Sequence, residues 1–97
     1  MTAGMPTPTP YADIGARLEW HRVEIARMSQ ADYAKAAQVG RSTYTSCETG
    51  AARLSLNAAL QLRERFGVSL DWLYTGNADT LPMALRNAWL SRSRDSS

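Results

Sequence analysis

The sequence predicts an all-α protein: a compact bundle of five short helices, which a sixth helix at the C-terminus can extend. Apolar residues recur at helical spacing in segments that begin at capping residues and end at glycines. No segment shows the alternating pattern of a strand, and no internal repeat is present. With 97 residues, 44% of them hydrophobic, the chain suits a single domain that buries its own core.

The composition excludes several classes of protein. A single cysteine excludes an internal disulfide framework and fits a reducing cytosol. No apolar run approaches the ~18 residues that a membrane span needs. The N-terminus lacks a basic stretch followed by an apolar core, so no signal peptide is expected. The net charge of +2 and the sequence pI of about 9.0 permit a nucleic-acid partner but do not require one.

The N-terminal part divides into an arm and a first helix. Residues 1–10 carry three of the four prolines, which fix φ and remove backbone donors, so we expect a flexible, extended arm. In the first helix, Ile14, Leu18 and Ile25 lie near a 3.6-residue period. This helix opens the predicted helical domain, which we place at residues 11–77.

A capping signature marks the start of the second helix. The Ser29 hydroxyl can accept a hydrogen bond from the first free amides, and Asp32 can reach back towards it. This alanine-rich helix runs to about Ala37. We expect residues 38–40 to form a tight turn, in which Gly40 takes a conformation or a close approach that other residues resist.

Serines and glycines delimit the helices that follow. The third helix runs from Arg41 to about Glu48, and Gly50 stops it. Two further helices each have a serine before them and a glycine after them. They span residues 56–66 and 70–75, between Ser55 and Gly67 and between Ser69 and Gly76.

Residues 78–97 are expected to hold a C-terminal helix and a polar tail. Pro82 suits the first helical position, and Leu81, Leu85 and Trp89 would align on one face. Such an apolar stripe packs either on its own domain, on a second copy of the chain, or on another protein.

The interior is expected to take the only histidine, His21, and the only cysteine, Cys47. One His and one Cys do not make a zinc or nucleophilic site without suitably spaced carboxylates, and no glycine-rich phosphate loop is present. We therefore expect no enzyme activity, no cofactor and no metal. The predicted core consists of Leu18, Ala34, Val39, Tyr44, Cys47, Leu60, Phe66, Leu70 and Leu73.

The third helix has two different faces. Tyr44 and Cys47 are three residues apart and share one face, which suits burial. The other faces carry only hydrogen-bonding side chains, from Arg41, Ser42, Thr45 and Ser46. A short helix, a tight turn and a second helix with a polar outward face make a helix-turn-helix. The predicted bundle therefore contains this motif.

The segment "SQADYAKAAQVGRSTYTSCETG", residues 29–50, resembles the phage-repressor helix-turn-helix family of lambda repressor and Cro, also called XRE. The usual pattern of that family is S-Q-x-x-L-A, a turn, and S-x-x-x-I-x-x-x-E-x-G. "FGVSLDWLYTG", residues 66–76, is similar to the segment that follows in the family, and the resemblance covers roughly residues 13–76. The matching positions are Ser29, Gln30, Ala34, Val39, Ser42, Glu48 and Gly50.

The chain departs from the family pattern at several positions. Gln38 stands in the turn where the family usually has Gly, so we expect a strained or altered turn. The link "EIARM" between the first two helices is one residue longer than usual and lacks its glycine. Three positions that usually hold Leu or Ile, and so pack differently here, are Tyr33, Tyr44 and Cys47.

The resemblance implies that the third helix enters the major groove of DNA and that its first residues contact base edges. The implied base-reading residues are Arg41, Ser42, Thr45 and Ser46. Their chemistry agrees, because an arginine can donate twice to O6 and N7 of guanine, and hydroxyl groups bond to several bases. The methyl group of Thr45 can also contact thymine.

Contacts to the DNA backbone are implied for residues around this helix. Gln30, at the start of the second helix, corresponds to a family residue that contacts phosphate. Thr49 and Arg53 flank the exit loop and are further phosphate candidates. The family commonly pairs the acid at Glu48 with an arginine late in the first helix, a place that Arg22 occupies. Paired in this way, Glu48 stops repelling DNA, while Arg22 can still face a phosphate.

The resemblance implies a sequence-specific regulator that binds a double-stranded DNA operator, as a transcriptional repressor of phage or prophage type. We expect a homodimer on a palindromic site, joined near Val68 to Trp72, in the bacterial cytoplasm and at the nucleoid when bound. The alternative is an antitoxin-like protein-interaction module that also binds operator DNA. Its protein partner would then contact the stripe on the C-terminal helix.

Overall fold

The computed structural model describes residues 11–95, with side chains up to Arg92; the predicted N-terminal arm lies outside this part of the chain. Every secondary-structure element of the described part is a helix, which confirms the all-α class. Among these residues, no helix has both the length and the apolar character of a membrane span. The elements are α1 (Ala12–Trp20) with a π-helical turn (His21–Ala26), α2 (Gln30–Ala37), α3 (Arg41–Glu48), α4 (Leu56–Phe66), α5 (Leu70–Thr75), a 3₁₀ turn (Ala78–Thr80) and α6 (Met83–Asp95).

Most helix boundaries are where the local signals predict them. The hydroxyls of Ser29, Ser55 and Ser69 each accept a hydrogen bond of 3.1 Å from the backbone amide three residues further on. Gly67 and Gly76 end α4 and α5 with φ of 76° and 82°, a conformation that glycine adopts without steric cost. These short-range signals are confirmed because each one acts within a single helical turn.

The turn between α2 and α3 differs from the prediction. Gly40 has an ordinary φ of −58°, and a Cβ built there would meet nothing closer than Thr43 Oγ1 at 3.7 Å. The left-handed residue is Gln38, with φ of 61°. The amide of Val39 donates to the carbonyl of Ala34 at 2.9 Å, and this closing bond requires the left-handed conformation one residue earlier. The backbone at residue 40 therefore does not require glycine. The strain expected in the turn lies at Gln38, whose backbone is left-handed.

The end of the first helix also differs from the regular period that the sequence suggests. A π-helical turn follows α1 and takes up an additional residue, in line with the longer link noted above. Because the widened turn shifts the register of the side chains, Ile25 is 41% exposed instead of lying below Leu18. Arg27 ends this turn in the left-handed conformation, with φ of 55°.

The core is built on aromatic rings. Tyr33 stacks on Phe66 with a centroid distance of 4.4 Å and lies 5.1 Å from Tyr44, so the two tyrosines fill positions that the family pattern assigns to aliphatic residues. Leu60 was predicted in the core but is 38% exposed, because the buried face of α4 is formed by Ala58, Ala59 and Leu62. The largest fully buried side chains are those of Trp72, Tyr33, Tyr44, Leu18, Leu62, Leu73, Val68 and Cys47.

The C-terminal helix packs on its own domain. Trp89 meets Trp20 at 5.0 Å and Trp72 at 5.2 Å between ring centroids, and both pairs have edge-to-face geometry. The Arg92 guanidinium lies over the Trp89 ring and also donates to the Trp89 carbonyl at 2.6 Å. Leu81 is buried in the core cluster and Leu85 is partly buried against it, so the predicted stripe packs on the chain's own domain.

A glycine in α1 allows this helix to approach α3. A Cβ at Gly15 would collide with the backbone carbonyl of Glu48, so only glycine fits where the two helices meet. Gly15 is buried, and it holds the C-terminal end of α3 against α1. The position of the third helix in the bundle therefore depends on backbone contact as well as on side chains.

His21 is a core residue, as predicted. It is 3% exposed, and its Nδ1 lies 2.7 Å from the Tyr33 hydroxyl. Burial lowers the pKa of the imidazole to about 4. The ring is therefore neutral in the folded protein at neutral pH and serves as a packed hydrogen-bonding group.

This burial predicts a loss of stability in mild acid. Below pH 6.5 the unfolded chain protonates His21, but the folded chain does not do so until about pH 4. The free energy of unfolding should therefore have its maximum contribution from His21 above pH 6.5. It should fall by about 3 kcal/mol as the pH drops to 4. Urea denaturation of wild type and His21→Gln across this range tests the effect, since glutamine can still bond to Tyr33 but does not titrate. Parallel curves for the two proteins would contradict it.

Candidate nucleic-acid interface

The two faces of α3 separate as the spacing predicts. Tyr44 and Cys47 are buried against the bundle, and burial raises the pKa of the Cys47 thiol.

On the outer side of α3, Arg41 and Ser42 are exposed, whereas Thr45 and Ser46 are half-buried. Thr43 is exposed as well, next to Ser42, and the sequence reasoning did not include it. The first turn of α3 thus presents three exposed polar side chains, whereas the polar side chains of its second turn are partly covered. The sequence signal for Thr43 was its place in the first turn of α3, beside Arg41 and Ser42.

The Glu48 carboxylate collects hydrogen bonds from three parts of the chain. Arg22 donates through Nε at 2.8 Å and Nη2 at 3.1 Å, Gln30 Nε2 donates at 2.7 Å, and the Tyr44 hydroxyl donates at 2.6 Å. Burial alone would raise the pKa of this carboxyl, but the hydrogen bonds and the charge of Arg22 outweigh burial, and the pKa lies below its usual value. Glu48 is therefore ionised and fully partnered.

Arg22 extends this network to the loop before α2. Its Nη1 donates to the Met28 carbonyl at 3.0 Å, in addition to the two bonds to Glu48. The side chain is only 14% exposed, and the hydrogen bond to Glu48 raises the pKa of the guanidinium further. The charge of Arg22 is thus compensated within the chain. Its side chain links the π-helical turn to the loop before α2 and to α3.

Gln30 is held between two residues of α3. Its Nε2 donates to Glu48, and its Oε1 accepts from the Thr45 hydroxyl at 3.4 Å. This pair of bonds fixes the orientation of the carboxamide at the start of α2. The structure therefore brings Gln30, Thr45 and Glu48 together, although the sequence suggested separate roles for Gln30 and Thr45.

The exit loop after α3 carries two exposed candidates, Thr49 and Arg53. The Thr49 hydroxyl donates to the Ser46 carbonyl at 3.2 Å, and the Arg53 carbonyl accepts a weak hydrogen bond of 3.7 Å from Cys47 Sγ. The next residue is anchored too, because the Tyr74 hydroxyl donates to the Leu54 carbonyl at 2.7 Å. The backbone of this loop is therefore tied to the bundle while the side chain of Arg53 projects from it.

Part of the positive charge of the helix-turn-helix and its flanking loops is not neutralised. Within the described part of the chain, the side chains of Arg27, Arg41 and Arg53 make no hydrogen bond and no ion pair. The one acid in the network, Glu48, is compensated by Arg22. A surface with free cations, hydroxyls and a neutralised acid suits a polyanion such as a nucleic acid.

The network predicts a strong energetic coupling between Arg22 and Glu48. Glu48→Gln should lower the free energy of unfolding by roughly 2–4 kcal/mol, because it leaves a poorly exposed guanidinium without its counter-charge. The double variant Arg22→Met with Glu48→Gln should lose less than the sum of the single variants, with a coupling of about 1 kcal/mol or more. Urea denaturation of the four proteins measures this cycle. Additive effects would reduce Glu48 to an ordinary surface acid.

Comparison with known proteins agrees with this geometry. A family model described as helix-turn-helix (HTH_3) matches residues 22–73, more than half of the chain. The match begins at Arg22 and includes α2, the turn, α3, α4 and most of α5. No curated protein and no solved structure matches the chain significantly. The chain therefore belongs to the XRE-type helix-turn-helix family of DNA-binding regulators, to which Cro and lambda repressor belong.

Proposed function

We propose that the protein is a transcriptional repressor of phage or prophage type, which binds a palindromic operator as a homodimer in the bacterial cytoplasm. The observation that supports this most directly is the first turn of α3. It projects a cation and two hydroxyls from a helix whose opposite face is buried and whose acid, Glu48, is compensated. In a family of DNA-binding regulators, such a helix end is suited to reading base edges in the major groove.

The base-reading role is assigned to Arg41, Ser42 and Ser46, and Thr43 joins them as an exposed neighbour. Arg41 carries the only charge in this set and makes no hydrogen bond or ion pair with any described residue, so its guanidinium is available for guanine. Thr45 has a divided role, because its hydroxyl is directed to Gln30 and leaves its methyl group for thymine.

The backbone-contacting role is assigned to Gln30, Thr49 and Arg53. One amide hydrogen of Gln30 is used by Glu48, and the second can be donated to a phosphate. Arg22 is assigned to support rather than to phosphate binding, since three of its N–H groups already have acceptors in the chain. The proposed contacts thus surround α3 on both sides.

The proposed dimer needs a surface other than the one the sequence suggested. Val68 and Trp72 are 1% and 0% exposed, so these side chains belong to the core and cannot face a second copy. The outer side of α4 instead carries Leu56 and Leu60, which are 60% and 38% exposed and one helical turn apart. Arg63 and Glu64 follow on the same side, and two such helices can pair Arg63 of each copy with Glu64 of the other.

No observation favours the antitoxin-like alternative. That function assigned its partner to Leu81, Leu85 and Trp89, which pack within the chain's own core cluster, Trp89 against Trp20 and Trp72. A protein partner would have to bind the opposite side of α6, where Met83 is 69% exposed.

The dimer predicts a symmetric binding site. Selection from a random DNA pool should yield a palindrome whose half-sites lie about 34 Å apart, one turn of DNA. Leu60→Glu should weaken binding to the full palindrome at least tenfold and leave binding to a single half-site unchanged, since it repels only the second copy. Met83→Glu is the matched control on α6 and should alter neither. A selected motif without symmetry, bound by one chain at every concentration, would contradict the dimer.

Two of the three unpaired arginines, Arg41 and Arg53, predict different losses. Arg41→Ala should cost about 1–3 kcal/mol on the selected site and relax the preference at one base position. Arg53→Ala should weaken binding to all sequences alike and lower the salt slope by about one unit. Titrations against the selected site and a scrambled duplex at several salt concentrations separate these effects. An equal loss on both duplexes for Arg41→Ala would exclude base reading by Arg41.

A further inference from the structure

Arg27 combines an unfavourable backbone with an unused side chain. Its φ of 55° and ψ of 49° are left-handed, a conformation in which the Cβ of any residue other than glycine is crowded by the neighbouring carbonyl. The side chain is exposed, and it makes no hydrogen bond or ion pair with any described residue. Nothing inside the described chain thus compensates for an arginine at this position.

The backbone around Arg27 is held firmly. Its amide and that of Met28 both donate to the Arg22 carbonyl, the latter at 3.2 Å, and Arg22 Nη1 returns a bond to the Met28 carbonyl at 3.0 Å. Because Arg22 also holds Glu48, the loop that carries Arg27 is fixed relative to α3. An arginine in this loop is therefore presented from a fixed point, three residues before Gln30.

The positive charge of Arg27 is not compensated by the charged residues near this loop. Arg22 is neutralised by Glu48, so the start of α2 gains no net positive charge from it. The nearest acids in sequence, Glu24 and Asp32, are exposed and form no ion pair with Arg27. Arg53, in the exit loop that follows α3, is also exposed and makes no hydrogen bond or ion pair with any described residue. Arg27 and Arg53 are thus free cations in the two loops on either side of the helix-turn-helix.

We propose that Arg27 binds a phosphate of the DNA backbone at the α2 edge of the interface, in the place first assigned to Arg22. The proposal rests on the proposed function, and it adds a contact residue that the family pattern quoted above does not include. A guanidinium binds phosphate through two parallel N–H groups, and this contact is independent of base sequence. A strained residue is then retained for binding and not for folding.

Three variants test the proposal. Arg27→Gly removes the cation and fits the left-handed backbone, whereas Arg27→Lys keeps the positive charge. Gln38→Gly is the matched control, because it relieves the other left-handed residue, at the opposite end of α2, without a change of charge. Thermal unfolding and DNA titrations at 50–200 mM salt are measured for each variant, with the selected site and a scrambled duplex.

Arg27→Gly should keep or raise the Tm and yet weaken binding to both duplexes. One lost phosphate contact changes the salt slope by about 0.9, so the ratio of wild-type to variant affinity should shrink about three- to fourfold between 50 and 200 mM salt. Arg27→Lys should keep the wild-type slope, and Gln38→Gly should leave DNA binding unchanged.

Two results would overturn the proposal while leaving the proposed function intact. One is an unchanged affinity and salt slope for Arg27→Gly when the wild type binds its selected site. The other is a loss confined to the selected site, which would make Arg27 a base reader. Failure of the wild type to bind any duplex would overturn the proposed function and this contact together.

Discussion

The arrangement of the helix-turn-helix depends on one buried carboxylate. Glu48, whose side chain is 5% exposed, accepts hydrogen bonds from the π-helical turn, from the first residue of α2 and from its own helix. A carboxylate removed from water is stable only when its lone pairs are satisfied, so all three elements must be in place together. The rotation of α3, and with it the direction of Arg41 and Ser42, follows from this requirement.

The interior behind α3 reinforces the same orientation. Tyr44 belongs both to the Glu48 network and to the aromatic layer of Tyr33 and Phe66, so polar and apolar contacts select the same rotation. Gly15 adds a backbone contact to the end of α3 that any side chain would prevent. A helix held by these contacts can expose a wholly polar face without losing its place in the bundle.

Two left-handed residues show where local preference gives way to the rest of the fold. Gln38 ends α2, and Arg27 ends the π-helical turn, and neither is the glycine that such a position favours. Gln38 is kept there by the bond from Val39 to Ala34, and Arg27 by the bonds of its loop to Arg22. Chain connections that must be short between packed helices thus outweigh the preference of a single residue.

Local signals in the sequence determined the helix order, the serine caps, the glycine stops at Gly67 and Gly76, and the buried and polar faces of α3. Each of these depends on residues within about one helical turn, so periodicity and capping reveal them. The family pattern also led to the pairing partners Arg22 and Glu48, but not to the other two donors on the carboxylate. Contacts between helices decided what the sequence left open or suggested wrongly: the exposure of Leu60 and Ile25, the burial of Val68 and Trp72, and the docking of Trp89. The physical reason is that burial and charge pairing are set by residues distant in the chain, whose approach depends on the packing of the whole bundle.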